Sequence, residues 1–246
     1  MDQTGYILLS RISAMMRSTD VLATNLANVE TPGFRANRAI FAAKPEEQRD
    51  VRAPPGGGRV AYTQDRATWR DSTTGPLGTT GNPLDVAITG DGFFAVDTPR
   101  GERFTRAGRF TLGGDGKLQD MEGHAVLNTD SQPITFAPTD ARIEILGDGT
   151  IRSENGVIGR LRVVRFADQQ EMQAEGSRLY ATDQQPEVIA RPNVVQGSLE
   201  GSNVNAVLEM TRLTSNVRAF QMVAQFMETE GRRGSDAVSR ILGRAA

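Results

Sequence analysis

Two pairs of carboxylates are the residues in this chain whose type and spacing could support catalysis: Asp85 with Asp91, and Glu171 with Glu175. In a glycosidase, two such groups face each other across a sugar cleft, one as acid and the other as base or nucleophile. The first pair falls on a tight strand-and-turn segment and the second on a short polar segment, and neither pattern predicts a rigid cleft. We therefore expect no catalytic residue, and a cell-wall glycosidase is an unfavoured alternative.

Metal and cofactor chemistry has little support in the composition. His124 is the only histidine, and the chain has no cysteine, so a zinc site lacks further His or Cys ligands and His124 has no thiol nucleophile to activate. The segment Gly113–Gly116 resembles one calcium-binding Gly-Asp repeat, but such sites need tandem copies, and a hairpin turn is the simpler interpretation. We expect no metal, no cofactor and no small-molecule substrate.

The charge balance argues against two classes of partner. The 246 residues contain 28 Lys and Arg and 30 Asp and Glu, which gives a net charge of −2. Such a chain has no overall field to attract nucleic acid or an anionic membrane. The most apolar stretch, Leu84–Val96, is interrupted by acidic residues and is too short to span a bilayer. The opening residues lack the basic start and apolar run of a cleaved signal peptide, so the chain is cytoplasmic or is exported by a route that cleaves nothing.

The first 30 residues predict an amphipathic helix. Its apolar positions recur at alternating spacings of four and three, which is typical of a helix that packs lengthwise on another helix. This N-terminal stripe consists of Leu8, Ile12, Met15, Thr19, Leu22, Leu26 and Val29. The helix should end near Asn28–Glu30, where Thr31-Pro32-Gly33-Phe34 matches a type II turn with Gly33 at the position that needs a positive φ.

A second helix is predicted over residues 203–230, capped by Ser202 or Asn203. The C-terminal stripe shows the same alternation, and its members are Ala206, Met210, Leu213, Val217, Phe220, Ala224 and Met227. Gly231 and Gly234 should kink or end this helix, and Val238, Ile241 and Leu242 resume the stripe. An isolated amphipathic helix is marginal in water, so each stripe needs a partner: the other stripe, or its equivalent in another subunit.

The middle of the chain predicts a β-domain over residues 83–185, because short apolar runs alternate with turn signals. No helix of crossover length lies between them, so the sheet should be antiparallel. Four dipeptides favour tight hairpin turns: Asp91-Gly92, Asp115-Gly116, Asp148-Gly149 and Asn155-Gly156. The expected fold class is α+β, with coiled-coil-like terminal helices flanking a central antiparallel all-β domain.

Five segments follow from these patterns. They are an assembly helix and turn (1–34), an irregular arm (35–82), the β-domain (83–185), an irregular connector (186–202) and a second assembly helix (203–246). In the arm, only Val60–Thr63 predicts a short strand, because Pro45, Pro54, Pro55 and a run of three glycines interrupt the rest.

Two asparagines and two phenylalanines near the first turn leave alternatives open. Asn25 and Asn28 could fix the register of packed helices, as a buried Asn does in coiled coils, or could cap the final helical turn. Phe34 and Phe41 could dock on a neighbouring subunit or tether the arm to their own. Docking is the favoured interpretation, because no local core is evident in this part of the sequence.

Several segments, in the same order along the chain, resemble the flagellar rod and hook protein family. They are Asn25–Phe34, Gly81–Ile88, Gly90–Val96, Phe104–Phe110, Gly197–Asn205, Met210–Thr211 and Asn216–Phe220. Within the family, the length and the opening residues favour a proximal-rod paralogue, with a distal-rod paralogue as second choice.

The resemblance implies a structural subunit of the basal-body rod in the periplasmic space. Its terminal helices would form an inner tube with other proximal and distal rod subunits, as part of the drive shaft and the export channel. The β-domain would face outward. The chain would leave the cell unfolded through the flagellar type III export apparatus, without a cleaved signal.

We interpret the chain as a non-enzymatic helical-assembly subunit, and a β-domain adhesin with a coiled-coil stalk is the other alternative. The predicted assembly interface comprises Leu8, Ile12, Met15, Leu22, Asn25, Leu26, Asn28, Val29, Pro32, Gly33, Phe34, Asn203, Met210, Leu213, Val217, Phe220, Ala224 and Met227.

Overall fold

The computed structural model describes residues 3–47, 59–176 and 178–242. Two helices, α1 (Gln3–Ala27) and α2 (Ala206–Leu242), stand at the two ends of the chain and all the strands lie between them in sequence. The pairings among the strands from Leu77 to Glu200 are all antiparallel. The predicted α+β class, with terminal helices flanking an antiparallel sheet region, is confirmed.

The strands are short apart from the first two. In chain order they are β1 (Asn37–Glu47), β2 (Arg59–Arg70), β3 (Leu77–Thr79), β4 (Val86–Ile88), β5 (Phe93–Thr98), β6 (Gly101–Thr105), β7 (Thr111–Leu112), β8 (Leu118–Gln119), β9 (Ala125–Val126), β10 (Glu144–Ile145), β11 (Thr150–Ser153), β12 (Gly156–Arg160), β13 (Val163–Arg165), β14 (Gln173–Glu175), β15 (Leu179–Ala181), β16 (Glu187–Val188), β17 (Val194–Gln196) and β18 (Ser198–Glu200). The chain forms two compact units, one built from residues 1–26, 37–69 and 205–246 and the other from residues 27–36 and 70–204.

The first unit contains α1, α2 and the two-stranded sheet of β1 and β2. These strands of 11 and 12 residues occupy a segment predicted to be an irregular arm, and that prediction is wrong for the part the structure describes. The Pro-Gly run that suggested irregularity lies outside the described residues. Pro45 lies within β1, where each strand of a two-stranded sheet has a free edge on which a residue without an N–H is tolerated.

The second unit is built on a nine-stranded sheet, in which β14-β15-β6-β5-β9-β8-β7 are neighbours in that order and β13 pairs with both β5 and β16. Three smaller sheets accompany it: β10-β11-β12, β17-β4 and β18-β3. The last two correct the prediction that residues 186–202 form an irregular connector. In this segment, β17 pairs with β4 and β18 pairs with β3. Each strand has only three residues, which is too short for an alternation of apolar and polar side chains to predict it.

Strand β5 lies at the centre of the second unit's core. Its side chains alternate between the two faces of the sheet, so Phe94 and Val96 join one buried cluster and Phe93 and Ala95 join another. Apolar burial on both faces explains why this strand reads as a nearly continuous apolar run. Three of the four predicted turn dipeptides are confirmed, because Asp115-Gly116, Asp148-Gly149 and Asn155-Gly156 each join two paired strands and the glycine has a positive φ. Asp91-Gly92 joins β4 to β5, which do not pair with each other, so the predicted hairpin is wrong there.

The ends of α2 differ from the prediction. Asn205, and neither Ser202 nor Asn203, caps the helix, because its Oδ1 accepts the N–H of Leu208 at 3.1 Å. The helix then continues through Gly231 and Gly234 to Leu242. A helical glycine costs about 1 kcal/mol relative to alanine but does not forbid the conformation. The predicted continuation of the stripe at residues 238–242 concerns side chains outside the described part of the chain.

Candidate assembly interface

Helices α1 and α2 lie antiparallel within the first unit. Asn25 near the end of α1 bonds to Glu209 at the start of α2, and Asn216, one heptad further along α2, bonds to Met15 and Thr19 of α1. The structure therefore brings the two predicted helices together within one chain, which is one of the two partnerships expected for them.

The N-terminal stripe follows the packed side of α1. Leu22 is buried, as is Asn25 next to the stripe, and the other stripe positions on the helix are half-buried: Leu8, Ile12, Met15, Thr19 and Leu26. A helix that turns a continuous apolar stripe inward shows the period of 3.6 that sequence patterns detect. Their role in an assembly stays a prediction.

The packed side of α2 has a different register from the predicted C-terminal stripe. Ala206, Leu213, Phe220 and Met227 are half-buried as expected for that side, but Met210, Val217 and Ala224 are exposed. The alternating inward positions are held instead by Glu209, Asn216 and Val223. Two of these three residues are polar, so a periodic pattern of apolar residues does not reveal them.

Asn216 holds the two helices together at mid-length. Its Nδ2 donates to the Met15 carbonyl at 2.9 Å and to the Thr19 Oγ1 at 2.7 Å. A half-buried amide that is satisfied in one alignment favours that alignment over shifted ones, since a shift would leave its donors unpaired. Asn216 was not among the predicted interface residues.

Asn25 anchors a polar network where α1, β1 and α2 meet. Its Oδ1 accepts the Asn37 N–H at 2.8 Å, and its Nδ2 donates to the Asn37 carbonyl at 2.8 Å and to Glu209 at 3.1 Å. The side chain is fully buried. Of the two roles weighed for the asparagines, Asn25 takes the register role, whereas the Oδ1 of Asn28 accepts the Thr31 hydroxyl in the local turn at 3.1 Å.

Glu209 is the buried charge of this network. Arg38 and Arg212 both donate to its Oε1, at 2.7 and 2.9 Å. Desolvation raises the pKa of this carboxyl, but the hydrogen bonds from Arg38 and Asn25 and the charges of both arginines outweigh it, so the pKa lies below its ordinary value.

Replacing Glu209 by Gln is expected to lower the unfolding free energy of the first unit at pH 7 by about 1–2 kcal/mol, because the two arginines then donate to a neutral amide oxygen and lose the carboxylate charge. A depressed folded-state pKa contributes stability above the unfolded value of about 4.3, which is lost as the pH falls through the folded value. The difference between wild type and Glu209→Gln should therefore shrink on acidification. The fluorescence of Trp69, the only tryptophan, followed during urea unfolding measures this difference in unfolding free energy.

The control is Glu228→Gln, which changes an exposed glutamate on the same helix. Its unfolding free energy should be almost the same as that of the wild type at any pH.

Several large apolar side chains of α2 remain exposed. Val207, Met222 and Met210 are 75%, 65% and 56% exposed. The same group includes Leu208, Val217 and Phe226. They lie on both sides of the packed stripe, so α2 is apolar over more of its circumference than α1 covers.

The turn after α1 belongs to the second unit. Gly33 has φ +70° and the Phe34 N–H donates to the Thr31 carbonyl at 3.2 Å, which confirms the predicted turn. Phe34 is buried against Ala36, Val204 and the half-buried Val29. It is thus packed inside its own chain rather than free to dock on a neighbour, because a local core exists that the sequence did not reveal. Phe41 is half-buried, and its docking stays a prediction.

Gly33 also fits closely against a strand end. Its N–H donates to the Glu200 carbonyl at 2.8 Å, and a Cβ on it would stand 2.5 Å from the carbonyl carbon of Arg106. Pro32, at the preceding position, is half-buried. The predicted turn residues therefore make an intrachain contact that leaves no room for a side chain at position 33.

A buried ion pair lies beside this turn. The guanidinium of Arg106 donates its Nε–H to Glu200 at 2.7 Å and its Nη1 to the carbonyls of Gly90 and Gly92 at 2.8 and 2.6 Å. The Nη2 of Arg35 lies 3.7 Å from the same carboxylate, whose Oε1 also accepts the Gly75 N–H. Burial lowers the pKa of Arg106, and the charge of Glu200 acts against that effect.

Asn203 joins three segments of the second unit. Its Oδ1 accepts the Ala36 N–H at 2.7 Å, and its Nδ2 donates to the carbonyls of Asp71 and Thr73 at 3.0 and 2.9 Å. These bonds explain why Asn203 does not cap α2. Its predicted assembly role remains untested by the contacts within one chain.

The residues weighed for catalysis have structural partners. The carboxylate of Asp85 is buried and accepts hydrogen bonds from Thr80 and Asn82 at 2.7 and 3.1 Å. Glu175 pairs with Arg103 at 3.0 Å, and the hydrogen bond from Arg103 lowers the pKa of Glu175. The Nδ1 of His124 lies 2.9 Å from Asp120.

No group of three or more His, Asp or Glu side chains among the described residues could hold a metal ion. Neither helix, over the part that is described, is long and apolar enough to cross a bilayer.

Comparison with known proteins places this chain in a family. Residues 87–153 match the family described as the flagellar hook protein FlgE/F/G D1 domain, and residues 195–237 match the flagellar basal body rod FlgEFG protein C-terminal family. The first match covers most of the predicted β-domain, and the second spans the last strands and most of α2.

Full-length relatives agree with these matches. A flagellar basal-body rod protein FlgF from Mesorhizobium japonicum is 33% identical over 98% of each chain, and one from Rhizobium meliloti is 37% identical over 93% of this chain and 94% of the relative. A rod protein FlgG from Agrobacterium fabrum is 30% identical over 91% and 93%. The chain is thus more similar to these FlgF proteins than to this FlgG protein. Identity at this level over nearly the whole of both chains shows that the chain belongs to the flagellar basal-body rod protein family.

Proposed function

We propose that this chain is a structural, non-enzymatic subunit of the bacterial flagellar basal-body rod, and that it joins its neighbours through the exposed apolar faces of its terminal helices. Family membership supports the rod. The observation that carries the mode of assembly is the row of exposed apolar side chains along α2.

The packing of α2 supports this mode of assembly. A helix that is apolar on one side only is satisfied by one partner, whereas a helix that is apolar on most sides belongs in an interior. Helix α1 takes one side of α2, and Met210 and Val217 lie on one flank of that side with Phe226 on the other. An exposed row of this kind marks a protein–protein contact.

The proposed geometry is head-to-tail. Contacts that join one surface to a different surface on the next copy do not close on themselves, so they build a tube. The tube would form part of the motor drive shaft and of the channel for exported subunits. The partners would be other proximal and distal rod subunits, and the similarity to FlgF proteins favours a proximal position.

The route to that position is part of the same proposal. The chain would pass through the flagellar export apparatus and take its place in the rod within the periplasmic space, without losing a signal peptide. The two helices are joined by contacts between residues far apart in the sequence, such as Asn25 and Glu209. Such contacts can form after an extended chain has passed through the apparatus.

Met210→Asp combined with Val217→Asp is expected to abolish rod assembly while leaving the fold intact. Both side chains are exposed in the single chain, so the charges cost little there, but each would be buried without a partner in an assembled tube. Motility and the rod content of purified basal bodies measure assembly in cells that carry the variant gene, and circular dichroism of the purified chain measures the fold.

The matched control is Gln225→Asp, which places the same charge on an exposed polar position of the same helix. It should assemble like the wild type. Normal motility in the double variant would remove these two residues from the interface and, with them, the main support for this mode of assembly.

A further inference from the structure

Arg35 is a buried charge in the second unit whose surroundings satisfy it incompletely. Its side chain is 3% exposed, and its Nε and Nη1 have no hydrogen-bond acceptor among the described residues. Only its Nη2 approaches a carboxylate, that of Glu200, and the distance of 3.7 Å is too long for a hydrogen bond. Buried guanidinium groups are normally paired and hydrogen-bonded, because an unpaired buried charge is costly.

The carboxylate of Glu200 already serves other donors. Its Oε2 accepts the Nε–H of Arg106 at 2.7 Å, and its Oε1 accepts the Gly75 N–H at 3.1 Å. Two buried guanidinium groups, those of Arg35 and Arg106, therefore share one buried carboxylate. This part of the core is left with one positive charge in excess.

A third guanidinium group lies close by and adds positive charge. Arg70 is half-buried over the ring of Tyr180, with its Cζ 4.5 Å from the ring centroid, and it donates to two main-chain carbonyls. Burial is the largest cause that lowers the pKa of Arg70 and of Arg106, and the charge of Arg35 lowers both further. Asp91 also acts on Arg106, but it is exposed, where water screens its charge.

We propose that the second unit binds a small inorganic anion, of the charge and size of chloride, at the unpartnered N–H groups of Arg35. A buried water molecule could accept the same hydrogen bonds, but it would leave the excess charge uncompensated. An anion supplies both the acceptor and the missing charge, and hydrogen bonds to an ion are stronger than those to a neutral acceptor. Because so little of Arg35 reaches solvent, the anion has to be small.

Chloride should then stabilise the second unit, because a ligand that binds only the native state shifts the unfolding equilibrium by mass action. For half-saturation near roughly 0.1 M, the unfolding equilibrium constant falls roughly tenfold between about 0.01 M and about 1 M chloride. Sodium gluconate, whose anion is far larger, keeps the ionic strength constant. Urea unfolding of the full chain, followed by the near-ultraviolet signal of the buried Tyr180, measures the effect.

Arg35→Met should remove this response to chloride, so that the equilibrium constant changes by less than about twofold over the same range. The fold should be retained, because replacing an incompletely paired buried charge by an apolar side chain of similar length is often neutral or stabilising. The matched control is Arg165→Met, which removes an exposed guanidinium group from a surface ion pair with Glu187. It should respond to chloride like the wild type.

Two results would overturn the inference. A wild type that does not respond to chloride would show that water alone satisfies the buried donors. An equal response in Arg35→Met would assign the effect to sites elsewhere on the chain. Should Arg35→Met fail to fold, Arg35→Gln takes its place, because it retains a hydrogen-bonding side chain without the charge: loss of the response supports the anion site, and a wild-type response overturns it. The proposed function would stand in each case.

Discussion

Glu200→Ala is expected to lower the unfolding free energy of the second unit by about 3–5 kcal/mol, the loss typical when one partner of a buried ion pair is removed. Arg106 and Arg35 are almost completely buried beside this carboxylate, and both would lose it. The Gly75 N–H would lose its acceptor as well. The penalty is that of leaving buried charge uncompensated, which exceeds the net benefit of the intact pair.

Urea denaturation followed by the near-ultraviolet signal of the buried Tyr180 measures the effect. The matched control is Glu187→Ala, which removes a carboxylate from an ion pair of similar geometry with Arg165, at 2.9 Å, but on the surface. Exposed pairs contribute little because water and salt screen them, so this variant should unfold almost like the wild type. Equal losses in the two variants would show that burial does not set the energy of the Arg106–Glu200 pair.

The two terminal stripes illustrate how far periodicity carries a prediction. On α1 the positions of the predicted stripe are apolar apart from Thr19, and the stripe lies on the packed side together with the buried Asn25. On α2, Glu209 and Asn216 occupy inward positions, so the apolar pattern drifts toward the exposed Met210 and Val217. Glu209 is buried only because Asn25, 184 residues earlier, and Arg38 satisfy it, and nothing local in the sequence reports that partnership.

The two-stranded sheet of β1 and β2 was missed for a related reason. Residues 59–70 are mostly polar and, where their side chains are described, mostly exposed, so they lack the strict alternation of a half-buried strand. A strand of this kind is held by main-chain pairing with its neighbour. Three of the four turn dipeptides of the β-domain were predictable by contrast, because the positive φ of their glycines is a local steric requirement.

Resemblance to the family marked the segments containing Gly33, Arg106 and Glu200, but not why they occur together. The structure supplies the reason: the glycine backbone packs on the arginine, and the arginine pairs with a glutamate 94 residues away. Sequence alone suggested an assembly role for the turn. Within the chain, the turn packs against the backbone of Arg106 and bonds to the carbonyl of Glu200.

Gly33→Ala is expected to destabilise the second unit for two separable reasons. The left-handed conformation at φ +70° costs an alanine about 1–2 kcal/mol. The added Cβ would also meet main-chain atoms of Arg106 and Ala107 at 2.5 and 2.7 Å. Backbone cannot rotate away as a flexible side chain can, so relief requires moving the turn off the strand, at about 1–3 kcal/mol for overpacking of this kind. The same urea titration measures the total.

Gly81→Ala separates the two contributions. Gly81 belongs to the same unit and has φ +76°, but a Cβ there would meet no atom within 4 Å. Gly81→Ala therefore has the conformational cost alone. The difference in unfolding free energy between the two variants measures the cost of the clash with Arg106. Because the Gly33 N–H also bonds to the Glu200 carbonyl, displacement of the turn should disturb the ion pair. Gly33→Ala and Glu200→Ala should then be less than additive when combined. Equal unfolding free energies for Gly33→Ala and Gly81→Ala would mean that the turn can move away from Arg106 at no energetic cost. The close packing of the turn on the strand end would then not contribute to stability.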